Sequence, residues 1–111
     1  MMIDTFNCYQ VNAARTIPDT MSKEDILLNG VLGVTGEAGE IADMQKKILF
    51  QGHLPNKEKL LEEVGDCLWY LACICTALGV DMNTVAEKNI EKLWKRYPDG
   101  FSEEASRNRI K

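Results

Sequence analysis

The chain has 111 residues, 17 of them acidic and 13 basic, for a net charge of −4. That length suits one domain over residues 1–111, and the acidic balance argues against duplex nucleic acid, which needs a dense Lys/Arg footprint. The longest apolar run, Cys67 to Val80, is 14 residues, short of the roughly 20 that span a membrane; the amino terminus has no basic region leading into an apolar stretch, so no signal peptide is expected and the cytoplasm is the predicted compartment.

The first predicted helix runs from Ile3 to about Arg15, with Phe6, Tyr9 or Gln10, and Ala13 at helical spacing. Pro18 and Asp19 end it. The second starts near Ser22, an N-cap followed by Glu24 and Asp25, and reaches about Phe50, with Lys46 and Lys47 in its last turn. Gly30, Gly33, Gly36 and Gly39 recur at every third position within it. Two readings stay open for these glycines. Either some admit close approach of a neighbouring helix or a phosphate, or the helix is kinked or starts later. After the loop around Gly52 and His53, a third helix spans Asn56 to Leu78. Its stripe is Leu60, Leu61, Val64, Leu68, Leu71, Cys75 and Leu78, with Gly79 as the stop. Trp69 and Cys73 lie off that stripe and suggest a partner surface. Asp81 or Asn83 caps a fourth helix reaching Tyr97, before Pro98-Asp99-Gly100 breaks it. Ser102, Glu103 and Glu104 start a short terminal helix. Nothing alternates like a strand. Short loops between long helices predict an all-α, antiparallel up-and-down bundle of four main helices plus the short one.

The four cysteines, Cys8, Cys67, Cys73 and Cys75, form no C-x-x-C pair. They read as core-filling thiols in a reducing compartment rather than a zinc site or a disulfide scaffold. His53 reads as a surface loop residue, with contact to a substrate as its other reading.

Two short patterns carry chemistry. Glu37 and Glu40 in the second helix, and Glu63 and Asp66 in the third, are carboxylate pairs three residues apart. That spacing puts both members on one helix face, where like charges repel unless a cation offsets them. Antiparallel helices bearing such pairs make a nest for one or two hard cations such as Mg²⁺, which take carboxylate oxygens together with substrate phosphate and water. Glu63 and Asp66, with Tyr70 and Ile74, border the apolar stripe, where a neighbouring helix can meet them. In the fourth helix, Asn89, Lys92 and Arg96 form one polar stripe suited to phosphate oxygens, or a solvated face paired with Glu87 and Glu91. A ferritin-like di-iron bundle is set aside, because it needs histidines that this chain lacks in its helices. The remaining rival is a non-catalytic helical adaptor or oligomerisation protein with an acidic face.

Gly36-Glu37-Ala38-Gly39-Glu40-Ile41-Ala42-Asp43 followed by Glu62-Glu63-Val64-Gly65-Asp66 resembles the E-x-x-E…E-x-x-D signature of the MazG-like all-α NTP pyrophosphatases. Asn89-x-x-Lys92-x-x-x-Arg96-Tyr97 with Pro98-x-Gly100-Phe101 is similar to that family's closing segment, and Tyr9 and Arg15-Thr16 are similar to its start. The resemblance covers nearly the whole chain. It implies a helical bundle assembling as a homodimer or homotetramer, and cleavage of nucleoside triphosphates between the α- and β-phosphates, as in nucleotide-pool cleaning. Mg²⁺, or Mn²⁺ in its place, is the implied cofactor. Glu37, Glu40, Glu63 and Asp66 are the implied metal ligands and catalytic residues, one glutamate also orienting the attacking water. Asn89, Lys92 and Arg96 are the implied substrate contacts.

Overall fold

Each helix begins where a side chain satisfies an otherwise unpaired backbone N–H. Thr5 accepts from the N–H of Cys8, Ser22 from Asp25, Asn56 from Lys59, Asp81 from Thr84 and Ser102 from Ala105, at 2.7–3.1 Å. A computed structural model describes residues 2–109. Its helices are α1 (Phe6–Ala14), α2 (Lys23–Phe50), α3 (Lys57–Leu78), α4 (Met82–Arg96) and α5 (Glu103–Arg107), and the described residues contain no strand. The chain is therefore all-α, as its periodicity predicts. Ser22 caps α2 as expected, α3 and α5 start at Asn56 and Ser102 as expected, and of Asp81 and Asn83 it is Asp81 that caps α4. Gly79 closes α3 in the left-handed conformation (φ +69°), its N–H reaching back to the carbonyls of Cys75 and Thr76.

The α2 and α3 helices form an antiparallel hairpin with the most extensive packing in the molecule. Its seam is tight because Gly30 and Gly33 have no side chains. A Cβ on Gly30 would lie 2.8 Å from the Ile74 side chain and 3.1 Å from the Tyr70 carbonyl, and one on Gly33 would strike the Tyr70 ring. Gly36 and Gly39 face open space. Of the two readings of the glycine series, close helix approach holds for its first half. The helix is unbroken through all four and begins at Lys23, so a later start is not present.

The α1 helix packs across α3, and α4 rests chiefly on α1. Side-chain amides hold this corner. Gln10 donates to the carbonyl of Val80 at 2.9 Å and accepts from the N–H of Met82 at 2.8 Å, while Asn7 and Asn83 each accept from the other's backbone N–H at 3.2 and 3.0 Å. The core here is small: Ala13, Ala72, Cys75 and Met82, flanked by Tyr9, Leu68 and Trp69. From α3 to α4 the chain bends by 103°, so α4 leaves the hairpin instead of lying along it. No single described helix is long and apolar enough to cross a membrane.

The packing face of α3 differs from the stripe expected for it. Leu61, Val64, Leu71 and Leu78 are exposed, Val64 by 50 %. Cys73 is buried, and Trp69 packs on the core with its indole N–H donating to the Thr16 hydroxyl at 2.8 Å. Neither Cys73 nor Trp69 is therefore a free partner surface. The physical reason is the glycine seam. Close approach at Gly30 and Gly33 turns the Glu63–Tyr70–Ile74 margin of α3 towards α2 and leaves the larger leucine row outside.

Candidate active site

The same seam sets the register of the carboxylates. With Gly30 against Ile74 and Gly33 against Tyr70, one more turn along α2 brings Glu37 to the level of Asp66 and Glu63. One carboxylate oxygen each from Glu37, Glu63 and Asp66 lies within 4.8 Å of the others. Glu63 is the only buried charged residue among those described, 3 % exposed. Asp66 is exposed, so the group opens to solvent on that side. Glu40 sits beside it, exposed and close enough to act on Glu63, but outside that triad.

A buried carboxylate is costly unless its charge is answered. Part of the answer is Lys59, one turn back on α3, whose Nζ is 3.0 Å from Oε1 of Glu63. The rest comes from Glu37. Glu37 and Glu63 face each other closely enough to share a proton, and this hydrogen bond, followed by burial and the charges of Glu63, Glu40 and Asp66, pushes the Glu37 carboxyl up to about 7. Glu63 is held below the ordinary glutamate value, first by the Glu37 hydrogen bond and then by Lys59. With both ionised, Oε2 of Glu37 and Oε2 of Glu63 are buried with no donor in reach.

That pattern fits a divalent cation. Mg²⁺ binds oxygens at about 2.0–2.1 Å in an octahedron, so its ligand atoms stand about 3.0 Å apart when adjacent and about 4.2 Å when opposite. Three oxygens within 4.8 Å, two carboxylates with partnerless buried atoms and one open side are a donor set that such an ion could draw together.

The α4 residues lie elsewhere. Asn89 and Lys92 are exposed, Arg96 is half-buried, and their helix packs chiefly on α1 rather than on α2. Tyr9 of α1 lies within range of the site's charge. Burial raises its phenol, and the charges of Cys73 and Asp66 add to the effect. Beside Tyr9, a cleft of about 480 Å³ is lined by Ile3, Phe6, Leu68 and Asn83 among others. A second cleft of about 420 Å³ continues past Tyr9 towards Arg15 and Trp69. His53 is an exposed loop residue. Lys59 is the site residue that sequence reasoning missed, although its place one helical turn before Glu63 is a readable signal.

The family profile of the MazG nucleotide pyrophosphohydrolase domain matches residues 27–101. This chain belongs to that family. The match takes in the glycine seam, all four carboxylates and the whole of α4. The chain is also 38% identical to the Gene 37 protein of Mycobacterium phage L5 over 82 residues, which covers 70% of this chain and 72% of the phage protein. No solved structure gives a significant match.

Proposed function

We propose that this MazG-family protein is a Mg²⁺-dependent nucleoside triphosphate pyrophosphohydrolase, converting (d)NTP to (d)NMP and pyrophosphate. The observation that carries the reading is Glu63, a carboxylate buried on the α2–α3 seam with an orphaned oxygen beside Glu37 and Asp66. A solvated acidic face, as in the adaptor reading, has no reason to bury one of its charges.

Glu37, Glu63 and Asp66 would hold the ion, with Mn²⁺ able to replace Mg²⁺. The bound ion supplies Lewis acidity, offsetting the triphosphate's charge and favouring ionisation of the attacking water. Glu40, exposed beside the triad, would orient the attacking water and take its proton. The apolar cleft beside Tyr9 suits the nucleoside end of the substrate. Asn89, Lys92 and Arg96 are the candidate phosphate contacts. Products should be a monophosphate and pyrophosphate. Appearance of diphosphate and orthophosphate would place cleavage at the other anhydride and refute the assignment.

The functional unit is a homo-oligomer, a dimer or tetramer. The chain exposes 8514 Å², whereas a folded monomer of this mass exposes about 6,200 Å². Its radius of gyration is 17.1 Å, against about 13 Å for a compact domain of this length. An excess of about 2,300 Å² per chain is about 4,600 Å² for a dimer, within the range of large obligate interfaces, which count both partners. Exposed Leu61, Val64 and Leu71 on α3, and Ile90 and Trp94 on α4, supply its apolar part. Sedimentation at micromolar concentration tests this, and a 12.5 kDa species alone would sink it. Four free thiols, two of them buried, are consistent with a reducing cytoplasm.

A further inference from the structure

The Lys59–Glu63 contact does more than neutralise a buried charge. Lys59 is held against Oε1 of Glu63 at 3.0 Å, and Glu62 and Glu40 add to the field that keeps its ammonium there. A second cation cannot share an oxygen already so close to an ammonium group without strong repulsion. Glu63 therefore has one oxygen left for a metal, the orphaned Oε2. Hard cations differ in how they respond to that restriction. Mg²⁺ demands six near-ideal octahedral contacts and is satisfied by single carboxylate oxygens, whereas Ca²⁺ takes 6–8 oxygens and gains from carboxylates that offer both of theirs.

Building on the metal reading above, we infer that Lys59 is a specificity-determining residue, which caps one oxygen of Glu63 so that the site takes Mg²⁺ in preference to Ca²⁺. It acts through Glu63 and need not touch the metal or the nucleotide.

The long-range charge of Lys59 affects any divalent ion equally, so it cancels in the ratio of two affinities, while the cap does not. The test is calorimetric titration of the full chain with MgCl₂ and, separately, CaCl₂, without nucleotide. Wild type is compared with Lys59→Met, with Lys59→Ala as a second variant lacking the long side chain. Lys57→Met is the control, since it removes the same charge from an exposed position two residues away on the helix. Both Lys59 variants should lower the Mg²⁺-over-Ca²⁺ preference by at least about tenfold, the scale on which residues supporting metal ligands act, and Lys57→Met should leave it unchanged. Equal changes in both affinities, with an unaltered ratio, would overturn the role of Lys59 while leaving the metal site standing. Failure of wild type to bind either ion would overturn the metal site and this inference together.

Discussion

The α2–α3 hairpin and the α4–α5 arm use their apolar residues in opposite ways. In the hairpin the seam is built from glycine, an aromatic ring and a carboxylate cluster, and Leu61, Val64 and Leu71 are left on the outside. In the arm only Met82 is buried, α5 buries nothing, and Trp94 stands 69 % exposed at the end of an otherwise regular amphipathic helix. Small residues make an intramolecular seam close enough to bury a charge. Large ones, left exposed on both regions, make surfaces that a second copy can cover. On the reading proposed above, the metal site lies in the hairpin, and both regions offer apolar surface for assembly.

Removing charge from the hairpin's buried carboxylate should have the largest effect. Glu63→Gln keeps the volume but loses a ligand, and its pyrophosphate release should fall by at least about 100-fold, the upper range for residues that merely support metal ligands. Helical circular dichroism should be unchanged, and the rise in melting temperature on adding Mg²⁺ should shrink. Full activity with a full magnesium shift would return the carboxylates to a solvated face. The arm should respond differently. Trp94→Asp places a charge where an apolar anchor is exposed, so it should weaken assembly by about 2 kcal/mol or more, roughly 30-fold in the dissociation constant. The monomer's fold should survive, as sedimentation and circular dichroism would show.

Acidity offers a third way to separate the regions, because the coupled carboxylates lie in the hairpin. Glu37 is raised from the ordinary 4.5 to about 7. A raised carboxyl favours the folded state fully below 4.5, and that contribution is lost as pH climbs through about 7. Glu63 is lowered, so its contribution is present above 4.5 and lost as pH falls below it. The metal-free protein should therefore lose melting temperature between pH 5.5 and 8, on about that scale of one titrating group. Magnesium bound at the proposed site would displace the shared proton, so its affinity should rise about tenfold per pH unit below 7 and level off near pH 8. Glu37→Gln should flatten both curves. Next in size is the seam itself. Gly30→Ala drives a methyl towards the Tyr70 carbonyl, which cannot swing aside, and should cost about 1–3 kcal/mol in urea unfolding, the usual range for overpacking.

Much of this was legible in the sequence. Ser22, Asn56, Asp81 and Ser102 announce their helices because capping is local chemistry, and Gly79 announces a stop for the same reason. That Glu37 could approach Glu63 and Asp66 was legible because each pair lies on one helix face, whereas the position of Glu40 outside the group was not, since it depends on the register of α2 against α3. The packing face of α3 was not. Apolarity points to Val64 and Leu71, but the intramolecular contact follows closeness of approach, and that depends on Gly30 and Gly33 in another helix. An apolar stripe says that something covers it, not whether that is the same chain. The outward turn of α4 was also hidden, since it depends on the bonds of Asn7 and Gln10 to residues more than 70 positions away.

The smallest expected effect has the opposite sign to Gly30→Ala and comes from the same helix. Gly36 and Gly39 lie in the interior of α2, have ordinary helical dihedrals and would meet nothing within 4 Å on gaining a Cβ. Alanine is about 1 kcal/mol better than glycine in a helix interior, in part because it restricts the unfolded chain. Gly36→Ala should therefore stabilise dilute, monomeric protein by about that amount in urea titration. The position is one residue from Glu37, so magnesium affinity is measured alongside and should not change, the methyl pointing into open space. Repeating the titration at high protein concentration asks whether a second copy approaches this glycine face as closely as α3 approaches Gly30. A gain at both concentrations means that this glycine face stays open in the assembled protein and that assembly uses the apolar surfaces elsewhere. A gain when dilute that becomes a loss when concentrated means that a second copy covers the Gly36 face as well. Destabilisation in dilute protein would mean that the neighbourhood of Gly36 is not open at all.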